Sequence, residues 1–165
     1  MRLSLLPIAL LLAAAAHAQV PQIDPDWREA EAPPAPAFRL DGLVPLEIPG
    51  SALRFGVDPS TVSVGQDGIV RYVVVATSAS GVVNALYEGI RCGTGEFKVY
   101  GRHNPAGGWK VAKDSPWRLL QDQPASRHTL LIARTGACMG HSANRSASQI
   151  VRDLRAPADT RYELR

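Results

Sequence analysis

The run Ile69-Val-Arg-Tyr-Val-Val-Val-Ala76 constrains this chain more than any other feature. It is rich in β-branched residues and apolar on both alternations except at Arg71, the pattern of a strand central in its sheet. Its flanks say how that sheet continues. Thr61-Val-Ser-Val64 alternates apolar and polar residues, and Gly65-Gln-Asp-Gly68 carries Asp-Gly turn chemistry. After a second turn at Thr77 to Gly81, the run Val82 to Ile90 returns as a third strand, completing a meander. Glu96 to Tyr100 and Gly108 to Lys113 supply two more strands, with a hairpin loop at His103 to Gly108. In these, Phe97 and Val99, then Trp109 and Val111, alternate with charge, so one face of this part of the sheet is expected to meet solvent.

The segments on either side are less regular. Between Phe38 and Pro59, Pro45 and Pro49 also interrupt short apolar runs, leaving edge strands or irregular cover. Trp117, Leu119 and Leu120 are expected to pack on the core. Thr129 to Ala133 is too short for periodicity to choose between a strand and a helical turn. Ala143 to Arg155 is the best helix: Ser146 and Gln149 have capping-box spacing, Ala147, Ile150, Val151 and Leu154 share one face, and Pro157 ends the run. The expected fold class is α+β, a mainly antiparallel twisted sheet of about five strands with a C-terminal helix and one disulfide.

The amino terminus reads as an address. Arg2, the apolar stretch Leu3 to Ala16 and the small-x-small site Ala16-His17-Ala18 make residues 1–18 a cleavable signal peptide. The apolar run, at about 14 residues, falls short of the roughly 20 that span a bilayer, so no transmembrane anchor is expected after cleavage. The expected destination is the cell envelope or the outside of the cell. Residues 19–37, rich in Pro, Ala and acid with Trp27 as the lone anchor, read as a flexible segment. Residues 38–156 form the β-rich domain and 157–165 a tail. In an oxidising compartment the two cysteines, Cys92 and Cys138, pair by default. Closing that loop contributes about 4 kcal/mol in the chain-entropy model, less any native strain.

Charge is unevenly spread. Residues 19–86 hold 4 basic and 8 acidic side chains, residues 87–165 hold 13 and 7. Such a division fits two surfaces that attract one another, or weak contact of the basic half with an anionic surface. Nucleic acid is disfavoured, because the basic residues are dispersed and export removes the usual target.

Val64-Gly-Gln-Asp-Gly-Ile-Val-Arg-Tyr72, Ser78-Ala-Ser-Gly81, Tyr87-Glu-Gly-Ile-Arg-Cys92, Glu96-Phe-Lys-Val-Tyr100 and Trp109, taken in order, resemble the cryptic neisserial protein-like (CNP-like) family of exported proteobacterial proteins. The resemblance covers roughly residues 38–140, with Tyr87 to Cys92 its most specific piece. It implies a Gram-negative periplasmic location and agrees with the Cys92 to Cys138 pairing. It brings no catalytic residue, ligand or cofactor.

The candidate chemistry is sparse. Tyr87, Glu88 and Arg91 form a candidate functional patch. Glu88 is a possible acid or base with His103 or His128, set against a salt bridge to Arg91 or Arg71, the favoured reading for a charge inside an apolar strand. Cys138-Met-Gly-His141 has a C-x-x-H spacing that could serve a metal, but a bridge is favoured there and no cofactor is expected. A nucleophilic Cys92 is disfavoured for the same reason. The expected role is a non-enzymatic domain that binds an envelope protein or glycan or supports the envelope. The alternatives are an envelope-directed hydrolase using Glu88 and a histidine, and an anion-binding module on the basic half.

Overall fold

The computed structural model of the chain describes residues 24–121 and 126–156. The expected signal peptide at 1–18, residues 19–23, residues 122–125 and the tail at 157–165 lie outside the described residues.

In chain order the strands are β1 (Val44–Leu46), β2 (Arg54–Val57), β3 (Ser63–Val64), β4 (Ile69–Thr77), β5 (Val83–Arg91), β6 (Glu96–Asn104), β7 (Gly108–Val111) and β8 (Arg118–Leu119). They form one antiparallel sheet in the order β1-β2-β4-β5-β6-β7. The short β3 extends the β2 side of β4, and β8 extends the β7 side of β6. The meander over residues 61–90 is therefore present, and Ile69 to Ala76 is buried throughout. Among the described residues the sheet has eight strands rather than about five, because the proline-interrupted segment contributes β1 and β2 and the short Arg118–Leu119 adds β8. One of them, β1, is an edge strand, where the missing N–H of Pro45 breaks no inner ladder.

The inner face is closed by the end of the chain. Helix α1 (Arg127–Ile132) runs into a π-helical turn at Ala133–Ala137. A small hairpin follows, β9 (Cys138–Met139) with β10 (Ser142–Ala143), and then helix α2 (Ala147–Arg155). Thr129 to Ala133 is thus helical. In α2 the Ser146 hydroxyl accepts the Gln149 N–H at 3.2 Å. The Gln149 side chain does not return the bond; it binds Asp153 and Arg152 instead. Ile150 and Leu154 are buried, with Ala147 and Val151 at the margin of the same core. The π-helical turn meets α2 at Gly136, where an added Cβ would lie 2.8 Å from Leu154 Cγ and 3.0 Å from the Ile150 carbonyl. Cys92 and Cys138 are joined, Cα to Cα 5.6 Å, tying the end of β5 to β9. Of the two leucines expected in the core, Leu120 is buried and Leu119 exposed, because neighbouring residues of an extended chain point to opposite sides.

For residues 24–37, the described part of the segment expected to be a flexible arm, the outer face corrects that reading. These residues have no helix or strand, but they run along the sheet as a strap. Ala35, Phe38 and Leu43 pack on Val73, Val75, Ala85 and Tyr87, together with Tyr100 and Trp109. The solvent-facing side expected around β6 and β7 is therefore partly covered. Proline and alanine cannot supply a strand ladder, so side chains hold the strap. The indole N–H of Trp27 donates to the Asp67 carbonyl at 2.9 Å, that of Trp109 to the Pro36 carbonyl at 3.0 Å, and that of Trp117 to Glu29 Oε2 at 3.1 Å. Lys98 Nζ lies 3.0 Å from the same Glu29 oxygen.

Candidate functional site

Residue pairing between β4 and β5 sets Glu88 opposite Tyr72 on the inner face. The carboxylate collects three partners there. Tyr72 donates its hydroxyl at 3.1 Å, Thr129 its hydroxyl at 3.2 Å, and His128 Nε2 stands 3.2 Å from both carboxylate oxygens. With its proton on Nε2, the ring donates to the carboxylate. The His128 ring stacks on Phe55, with centroids 5.0 Å apart, and its Nδ1 has no partner among the described residues. Burial first, and the Glu88 charge second, push the Tyr72 hydroxyl well above its ordinary range, so it remains a donor. The expected pairing of Glu88 with Arg91 or Arg71 is wrong for a reason of register: Arg71 lies one residue from Tyr72 and projects from the opposite face. There it makes a two-point contact with Asp67, at 2.6 and 3.2 Å.

Glu88 and His128, expected as an acid and base, thus meet, but only 1% of Glu88 and 4% of His128 is exposed. The other candidates lie elsewhere. His103 packs edge-on against Phe38 and Trp109 on the outer face. His141 is exposed, and the bridge leaves Cys138 without a thiolate to offer with it. Tyr87 and Arg91 share the outer face while Glu88 points inward, so the three make no common patch.

Each residue of Tyr87 to Cys92 has a separate packing task. Tyr87 belongs to the outer cluster and Ile90 to the inner one. Glu88 ties β4 to α1. Gly89 makes room for the ring of Tyr100, whose Cε2 would lie 2.7 Å from an added Cβ. Arg91 places its guanidinium carbon 3.5 Å from the Trp27 ring centroid, and Cys92 forms the bridge.

Among the accessible grooves, those of about 310 and 400 Å³ lie around Arg91 and His141 and around Leu46 and Leu131, and one of about 420 Å³ lies on the outer face. The strap from Glu29 to Ala35 forms one wall, Tyr87 and Tyr100 the floor, and Trp109 to Lys113 on the β7 side the other wall. Val111, 75% exposed, stands at its rim. Lys98, Lys110 and Lys113 line it against Glu29 and Glu31. Three carboxylates fasten the strap and its continuation. Burial opposes ionisation of Glu29, but hydrogen bonds from Lys98 and Trp117 outweigh it and hold the carboxyl below its ordinary value. Asp67, buried likewise, is lowered by Arg71 and by the backbone N–H groups of Ile69 and Ala30. Asp58, against the same cost of burial, is lowered by Ser60 and by the Arg39 N–H at 2.7 Å.

Sequence reasoning missed Glu29, Asp67, Lys98 and Trp117 as strap contacts. A signal was present in the spacing of Ala32, Ala35 and Phe38, three residues apart within the proline-rich run.

The model of the CNP1-like family matches residues 22–155, reaching past residues 38–140 to take in the strap and α2. No curated protein and no solved structure matches the chain.

Proposed function

The chain belongs to the CNP1-like family, and from that premise we propose that it is an exported, non-enzymatic binding domain of the periplasm whose partner, an envelope protein or glycan, is held in the outer groove. The difference in access between the two sites carries the reading. Glu88 and His128 are spent on each other, on Tyr72 and on Thr129 beneath α1, whereas Tyr100, Trp109 and the groove lysines line an open cleft. A hydrolase needs its acid and base within reach of substrate, and this pair is buried. The disulfide fits an oxidising compartment, and no helix among the described residues is long and apolar enough to cross a membrane.

Site-specific photocrosslinking in cells tests the proposal. A photoreactive side chain at Val111, on the groove rim, should give a defined adduct whose yield falls with salt, as the lysines require. The same group at Val82, 56% exposed and outside the groove lining, should give none. Folded Glu88→Gln and His128→Asn variants should retain the Val111 adduct. Equal adducts at both positions, or loss of the adduct in those folded variants, would overturn the reading.

A further inference from the structure

The strap has a period of its own. Glu29, Ala32, Ala35 and Phe38 are half-buried against the sheet, and the residues between them are exposed apart from Pro36. A strand buries every second residue and an α-helix follows a 3.6-residue period. A three-residue period belongs to polyproline II, the conformation that Pro33, Pro34 and Pro36 favour. The contacts follow the same logic. An extended proline-rich chain has no internal hydrogen bonds, so its carbonyls are free to accept from outside. Trp109 donates its indole N–H to one of them, the Pro36 carbonyl, at 3.0 Å. Domains that read proline-rich ligands do so with aromatic grooves of this kind. At the other end, Glu29 sets the direction through Lys98 and Trp117.

Resting on the groove reading, we propose that the outer face of the sheet is a polyproline II recognition surface that the chain's own residues 29–38 occupy in cis. The partner recognised in trans is an acidic, proline-rich, extended polypeptide segment. The open groove is the part of that surface the strap leaves uncovered. A segment in trans must displace the strap, which acts as a tethered competitor at an effective concentration of about millimolar.

A fluorescent peptide with the sequence of Asp26–Phe38 and a shuffled peptide of the same composition provide the test. In the full chain carrying Trp27→Ala and Glu29→Gln, which loosens the strap, the native-order peptide should bind saturably and about tenfold or more tighter than to the wild type. The shuffled peptide should not bind, and adding Trp109→Phe should weaken binding several-fold. Equal binding of both peptides, or no saturable binding to the loosened chain at millimolar peptide, would overturn the proposal. Should that variant fail to fold, the Trp109 indole N–H resonance of the wild type serves instead. It should move with the native-order peptide and not with the shuffled one, and identical behaviour would overturn the proposal. A Val111 crosslink that persists while the peptides fail would remove proline recognition and leave the groove reading standing.

Discussion

The two faces of the one sheet are closed in different ways. The inner face is covered by α1, the π-helical turn and α2, whose apolar side chains join a continuous core and whose chain is stitched to β5 by Cys92 and Cys138. The outer face carries a smaller cluster and one extended segment with no ladder of its own, fastened by three indole N–H groups and Glu29, Asp67 and Asp58. Helices that share a core with the sheet unfold with it. A strap held by discrete polar contacts can open alone, at the low-stability end of the molecule. The contrast places rigidity under the inner face and adaptability on the outer one, where the groove lies.

The largest effect should come from the inner face. Glu88→Ala leaves Tyr72, Thr129 and His128 facing a buried gap without their acceptor, and should lower unfolding free energy by about 3–5 kcal/mol in denaturant titration. Glu88→Gln, which keeps an acceptor, should cost clearly less. A small effect of Glu88→Ala would mean that the quartet is not a structural tie, and would reopen its use as chemistry. Reducing the Cys92 to Cys138 bridge comes next, at about 2–4 kcal/mol, seen as a lower melting temperature in reductant. If reduction released the strap before the helices, the division between the faces would be misdrawn.

How much of this was legible follows the same division. The meander was readable because a doubly buried strand has a sequence of its own in Ile69 to Ala76, and α2 because its apolar residues recur at helical spacing. The bridge followed from two cysteines and an address. Glu88 was singled out as a buried charge with His128 among two candidate histidines, but the favoured counter-charge was an arginine: His128 lies forty residues away, on a helix whose short sequence could equally have been a strand. Only the register of β4 and β5 shows that Arg71 faces away. The strap was misread because proline and alanine are also the composition of a linker. What separates a docked proline-rich segment from a free one is the complementary surface, here assembled from Asp67, Lys98, Trp109 and Trp117 far along the chain.

A smaller effect isolates the outer face. Trp27→Ala removes the indole that bonds the Asp67 carbonyl and stacks on Arg91. Because the ring is only half-buried, the cost should be about 1–2 kcal/mol, below that of a core tryptophan. Hydrogen exchange should speed at Ala30 and Arg39, whose N–H groups bond Asp67 and Asp58, while amides of β4 and β5 keep their protection. Equal acceleration in both sets would show that strap and sheet open as one unit.

Acid should produce the mildest separation of the faces, and its sign follows from the three strap carboxylates. Glu29, Asp58 and Asp67 are each lowered in the folded chain, so they bind protons less readily there than when unfolded. The stability they contribute is complete above the ordinary carboxylate range near pH 4 and is lost as pH falls below it, through their lowered values. All three tryptophans of the chain, Trp27, Trp109 and Trp117, lie at the strap contact, so intrinsic emission reports that contact. On acidification the emission should shift to longer wavelength before far-ultraviolet circular dichroism reports loss of the sheet and helices. Coincident transitions would mean that the strap shares the cooperativity of the core, and a strap of that kind could not yield its place to a partner.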